Sequence, residues 1–157
     1  MSVNYLGLAY VSKKIWETWL DWAQGLPITQ LQRLATDAFT NIMGWQGCRF
    51  RNLDRLREIV VSDDSSSHAF LDFVTADTEL AIQSNSWDSI SFPVLKKLTL
   101  RDCEGVEERL AVALAERAEH GHKLEELVFK DGHITDDAVT RLLMVVDKVT
   151  IERTSGL

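Results

Sequence analysis

Apolar residues recur at fixed offsets through the second half of the chain. Leu95, Leu98 and Leu100 stand at offsets zero, three and five, with Cys103 at offset eight. Leu124, Leu127 and Phe129 repeat the triplet, with Gly132 at offset eight. Leu56, Ile59 and Val61 form an earlier triplet, and Val146, Val149 and Ile151 a later one. A strand sends alternate side chains to one face, so offsets three and five face the same way. The pattern predicts four short strands sharing one core. Their anchors, Leu56, Leu95, Leu124 and Val146, lie 39, 29 and 22 residues apart.

Helical spacing fills the intervals. Val106, Leu110, Ala113, Leu114 and Ala118 predict a helix over Val106–His120, with Glu104, Glu107 and Glu108 near its positive end and Gly121 at its close. Ile134, Ala138, Leu142 and Val145 predict another, capped by Thr135 and opened by Asp136 and Asp137. The longer interval predicts short helices near His68–Thr75 and Asp77–Gln83, then a loop over Ser84–Ser91 that presents Trp87. Ahead of the triplets, Ser12–Gln24 carries Ile15, Trp16, Trp19, Leu20, Trp22 and Ala23. Thr29–Met43 carries Leu31, Leu34, Ala35, Ala38, Phe39 and Ile42. These two stretches predict a helical hairpin, with Gly25 to Ile28 as its link.

LKKLTLRDCEGV and LEELVFKDGHITDDAV resemble the repeats of ribonuclease-inhibitor-type and cysteine-type leucine-rich-repeat proteins. Cys103 matches the position that organises the turn after the strand in that family, whereas Gly132 departs from it; Ile134–Thr135–Asp136 resembles the segment opening its convex helix. The resemblance implies a short α/β leucine-rich-repeat solenoid of three or four parallel strands with convex helices. Residues 1–47 would form a helical N-terminal cap and residues 48–157 the repeats of a single domain. A cap is needed because a repeat array exposes its core at each end. Such repeats are common in F-box substrate adaptors of ubiquitin ligases, but Gly25–Leu26–Pro27 lacks the continuation of an F-box.

That reading makes the chain a non-catalytic protein-interaction module. The residues between core leucines would face a protein partner: Arg57, Glu58, Val60, Lys96, Lys97, Thr99, Arg101, Glu125, Glu126, Val128 and Lys130, with Trp87 on its loop. The alternatives are the substrate-recognition tail of a ubiquitin-ligase adaptor, a structural subunit or assembly factor docking through the tryptophan helix, and a small enzyme.

Composition narrows the partners. The net charge of −7 argues against a general nucleic-acid or anionic-membrane surface, although Arg49, Arg51, Arg55 and Arg57 form a mild local patch. No apolar run approaches the ~18 residues of a membrane span, and the first residues make a poor signal peptide. Two cysteines, Cys48 and Cys103, form no disulfide framework and suit a reduced, intracellular protein, cytoplasmic or nuclear.

No residue pattern demands catalysis or a cofactor. His120, His122 and His133 lack carboxylate or cysteine partners at metal-ligand spacing. Cys48 lies in an arginine-flanked connection that lowers a thiol's pKa, and Cys103 has a turn role. His68 with Asp64 and a serine has only residue types in its favour. Asp63–Ser67 reads as a solvated loop. P-loop, nucleophile-elbow, dinucleotide-binding and zinc-protease motifs are all absent.

Overall fold

The computed structural model describes residues 5–8, 31–36, 54–88 and 90–154. Strand β1 (Tyr5–Leu8) is followed by β2 (Arg33–Thr36) and β3 (Glu58–Ser62). Helix α1 (Asp64–Ser84), strand β4 (Lys97–Arg101) and helix α2 (Glu107–Glu119) come next. Strand β5 (Glu126–Lys130), helix α3 (Asp136–Leu143) and strand β6 (Lys148–Glu152) complete the described chain. All six strands are parallel and lie in chain order, β1-β2-β3-β4-β5-β6. The three helices pack side by side, α1 on α2 and α2 on α3.

The apolar triplets of β3, β4 and β5 make the core by pairing in register, and the β6 triplet continues their rows to an edge where Ile151 is exposed. Ile59, Leu98, Leu127 and Val149 occupy one row across β3 to β6, and Val61, Leu100, Phe129 and Ile151 the next. The starts of β3, β4 and β5 each hang on one carbonyl just ahead of the preceding strand. Gln32 O accepts from the N–H groups of Arg57 and Glu58, Arg57 O from those of Lys96 and Lys97, and Lys96 O from those of Glu125 and Glu126. After β3, β4 and β5 the chain turns on an aspartate with positive φ: Asp63 at 82°, Asp102 at 54° and Asp131 at 58°. Asp tolerates this left-handed region better than most residues. Phe92, itself at φ 53°, sits beneath the sheet, with ring centroids 6.3 Å from Phe70 and 5.9 Å from Phe73.

The structure corrects the expected solenoid to a compact α/β domain, a small parallel sheet alternating with helices. Its units are too unequal for a stack of like repeats. From β2 onward the strand starts are 25, 39, 29 and 22 residues apart, and the helices have 21, 13 and 8 residues. Here α1, β3, β4 and the Phe92 connection close one shared core.

The helical cap is corrected as well. The expected helix over Thr29–Met43 contains β2 instead, with Leu31 and Leu34 fully buried. Two apolar residues three apart suit either a helix face or a strand approach, and pairing with β3 decides for the strand. The Ser12–Gln24 helix, Trp45, Cys48, Arg49 and Arg51 fall outside the described residues. The two short helices expected after β3 are one continuous helix, α1, which ends on left-handed Asn85.

Gly132 has a steric reason. A Cβ built there would lie 2.4 Å from the carbonyl oxygen of Cys103, backbone that has little room to yield. Gly132→Ala is expected to cost about 1–3 kcal/mol by overpacking, read as a lower urea midpoint at unchanged m-value.

Candidate functional site

The face of the sheet opposite the helices carries the charged residues expected to meet a partner. Arg33, Glu58, Lys97, Glu126 and Lys148 occupy one row across β2 to β6, alternating in sign at every step. Arg33 pairs with Glu58 at 3.1 Å, Lys97 with Glu126 at 3.6 Å, and Lys148 with Glu126 at 3.7 Å. Lys96 and Glu125 pair at 3.7 Å just before the strands, beyond which Arg57 is exposed. Arg101, Lys130 and Glu152 share the row at the other end, where Lys130 pairs with Glu152 at 3.1 Å. Between these rows run Ala35, Val60, Thr99, Val128 and Thr150, of which Thr99 and Val128 are buried.

Each such exposed pair stabilises by only ~0–1 kcal/mol. Their consequence is electrostatic: the row compensates its own charges, so a partner gains little by matching them. The structure thus brings Glu58, Lys97 and Glu126 together, sets Thr99 between the rows, and spends most of this charge internally.

Trp87 lies apart from this face, in the connection between α1 and β4. Its ring stacks on His120 with centroids 3.9 Å apart, and His122 lies 6.3 Å away. Nδ1 of His120 is 2.9 Å from the Glu116 carbonyl, and Nδ1 of His122 is 3.0 Å from that of Pro93. These contacts hold the end of α2 against the connection. Deeper in, Arg117 is buried and donates to the carbonyls of Ser91 at 2.9 Å and Phe92 at 2.7 Å. The Asp77 carboxylate accepts from the Ser91 N–H at 2.8 Å and its hydroxyl at 3.0 Å. Burial pushes the guanidinium down to about 10, with Asp77 pulling it back up, so it stays charged near neutrality. Sequence reasoning missed Arg117, although it continues the stripe of Leu110, Ala113 and Leu114 at helical spacing. A cation inside an apolar stripe is the signal.

The groups considered for chemistry have structural partners. Burial raises the Cys103 thiol to about 12, partly offset by a hydrogen bond with Ser67. It is therefore protonated, not nucleophilic, at neutral pH. Its contribution to stability is whole below about 9, the ordinary thiol value, and is lost as pH rises toward about 12. Nε2 of His68 lies 3.0 Å from the Glu104 carbonyl and 3.4 Å from Asp64, whose carboxylate accepts from the Glu104 N–H. The Ser67 hydroxyl donates to the Asp63 carbonyl at 2.9 Å. Among the described residues no three His, Cys, Asp or Glu side chains converge to hold a metal ion, and no helix is long and apolar enough to cross a membrane.

An open apolar feature lies on the helices. A groove of about 540 Å³ runs between α1 and α2, lined by Thr75, Thr78, Ile82, Ala111, Val112 and Ala113. Ile82 is 49% exposed and Val112 65%. Thr75 Oγ1 is buried at its edge with no hydrogen-bond partner among the described residues. Two rim cations are engaged, Arg109 by Asp72, and Arg141 by Glu108 and Asp137. Glu79 and Glu116 also line the groove, and neither carboxylate forms an ion pair among the described residues. The signal in the sequence was Leu110–Ala115, LAVALA, apolar all round where a half-buried helix needs only one face.

No known protein family, curated protein or solved structure matches the chain. The likeness of its leucine triplets to leucine-rich repeats is one of strand patterning across β3 to β6. With the fold a compact α/β domain, neither a leucine-rich-repeat interaction module nor the tail of an F-box adaptor describes this protein.

Proposed function

We propose that the chain is a non-catalytic, intracellular domain that binds a protein partner in the groove between α1 and α2. The observation carrying this reading is the groove itself, where Ile82 and Val112 stay exposed at its rim although a core is at hand. The partner segment it suits is apolar with flanking lysine or arginine. Apolar side chains fill the groove, and the basic ones meet Glu79 and Glu116, which form no ion pair among the described residues. The net charge of −7 favours such a partner over nucleic acid or an anionic membrane. A free, buried Cys103 suits a reducing compartment.

The test compares proteins captured by the wild type with those captured by Ile82→Glu/Val112→Glu, and by Glu79→Lys/Glu116→Lys. Glu79, Ile82 and Val112 are exposed and Glu116 is half-buried, and circular dichroism confirms that both variants fold. A partner that binds the wild type and weakens roughly tenfold or more with either pair supports the reading, a loss of about 1.4 kcal/mol. A partner bound equally well by both variants, but lost on Lys97→Glu, would overturn it in favour of the sheet face.

A further inference from the structure

The edge strand β6 is hydrogen-bonded on one side only among the described residues, to β5. Lys148 N–H donates to Glu125 O and Glu152 O accepts from Asp131 N–H, so residues 148 and 152 turn their backbone toward β5. Backbone groups alternate in direction along a strand, so those of Val149 and Ile151 point away from the sheet. An open edge of this kind is a template for pairing with another strand. The next described residues, Arg153 and Thr154, form no strand beside it. Thr154 donates from both its N–H and its hydroxyl to the Asp131 carboxylate, which holds Thr154 toward the end of β5.

We infer that a second copy of this chain docks on the β6 edge, antiparallel to the first and centred on Thr150. The sequence of β6 is KVTIE, and turned end for end it complements itself. Lys148 then faces Glu152 of the other copy, Glu152 faces its Lys148, and Val149 faces its Ile151. The hydrogen-bonded pairs fall at Val149 and Ile151, whose donors and acceptors are the outward ones. A symmetric dimer needs a self-complementary patch of this kind.

The charge pattern of the sheet points the same way. The alternating row ends at Lys148 with a positive charge, and the partner strand places Glu152 next in line. The other row ends at Glu152, and the partner places Lys148 there. Both residues are open to solvent, at 69% and 52% for their side chains. On the helix side of the same edge, Leu143, Met144 and Ile151 are exposed, with Met144 at 81%. Pairing brings these apolar side chains close to the dyad. The result is one continuous twelve-stranded sheet, twice the six of each chain.

Sedimentation equilibrium of the full chain, from low micromolar to near millimolar, tests this. The mass is expected to rise from 17.8 kDa toward twice that value. Lys148→Glu puts glutamate opposite glutamate at two places and is expected to weaken association roughly tenfold or more. Lys148→Glu/Glu152→Lys restores opposite charges across the dyad and is expected to recover the dimer. Its new like-charge neighbours, Glu126 and Lys130, are in the same chain and act in monomer and dimer alike. Circular dichroism confirms folding of each variant. A chain that stays monomeric throughout would overturn the inference. So would a dimer indifferent to Lys148→Glu, or one that the double variant fails to recover.

Discussion

Arg117→Ala is expected to remove about 3–5 kcal/mol of stability, the range for removing one partner of a buried ionic group. That is a large fraction of the ~5–15 kcal/mol available to a domain. Arg117 is 4% exposed and its two nitrogens hold the carbonyls of Ser91 and Phe92. Without it, both carbonyls and the Asp77 charge are left in a site that water does not reach. The connection they belong to also carries Phe92 at positive φ, a conformation that persists only while its surroundings enforce it. Phe92 in turn packs on Phe70 and Phe73, so the loss spreads into the core. Urea denaturation followed by circular dichroism reads the cost. Asp77→Asn combined with Arg117→Met is expected to cost less than the two single changes together, because each single change strands a charge that the double change removes. Arg117 adds no pH dependence below about 10, since it is charged in both states there; its burial penalty eases only as pH rises above about 10.

Leu127→Ala comes next, at an expected 2–5 kcal/mol. Leu127 is fully buried on β5, and its register partners are Leu98 on β4 and Val149 on β6. Two sheet neighbours and the helix layer surround the site, so the cavity left by truncation cannot close by moving one element. Register makes the prediction sharp. A slip of one residue would turn Leu127 outward and Val128 inward. Leu127→Ala would then cost little and Glu126 would face the core. Thermal or urea unfolding of Leu127→Ala beside the exposed-face change Thr150→Ala separates the two registers.

The strands from β3 onward were legible because apolar residues two apart on the covered face leave a plain mark: Ile59 and Val61, Leu98 and Leu100, Leu127 and Phe129, Val149 and Ile151. The helices α2 and α3 were legible from their stripes and from Thr135, whose hydroxyl accepts the Ala138 N–H at 3.2 Å as a cap should. Strand β2 was not. Leu31 and Leu34 are three apart, and only pairing with β3 distinguishes strand from helix there. The architecture was overread for a related reason. Offsets of three and five record how a strand meets a core, and any parallel sheet of short strands with one covered face repeats them. Unequal helices and a shared aromatic centre, which turn such strands into one compact body, lie in three-dimensional packing and not in spacing.

The binding surface was half legible. Charges on the open sheet face stand out in the sequence, but their mutual pairing depends on register and cannot be read residue by residue. Lys97 looks available until Glu126 is placed beside it on the next strand. The groove on the helices left a quieter sign, the surplus apolar residues of LAVALA, which matter only once α1 is set alongside with Ile82.

Hydrogen–deuterium exchange of the domain, alone and bound to the partner captured through it, measures the central claim most directly. New protection over Thr75–Ile82 and Glu108–Glu116, with the sheet strands unchanged, is the result the groove predicts. Protection confined to Glu58, Lys97 and Glu126 and their neighbours on the sheet, with α1 and α2 unaffected, would contradict it.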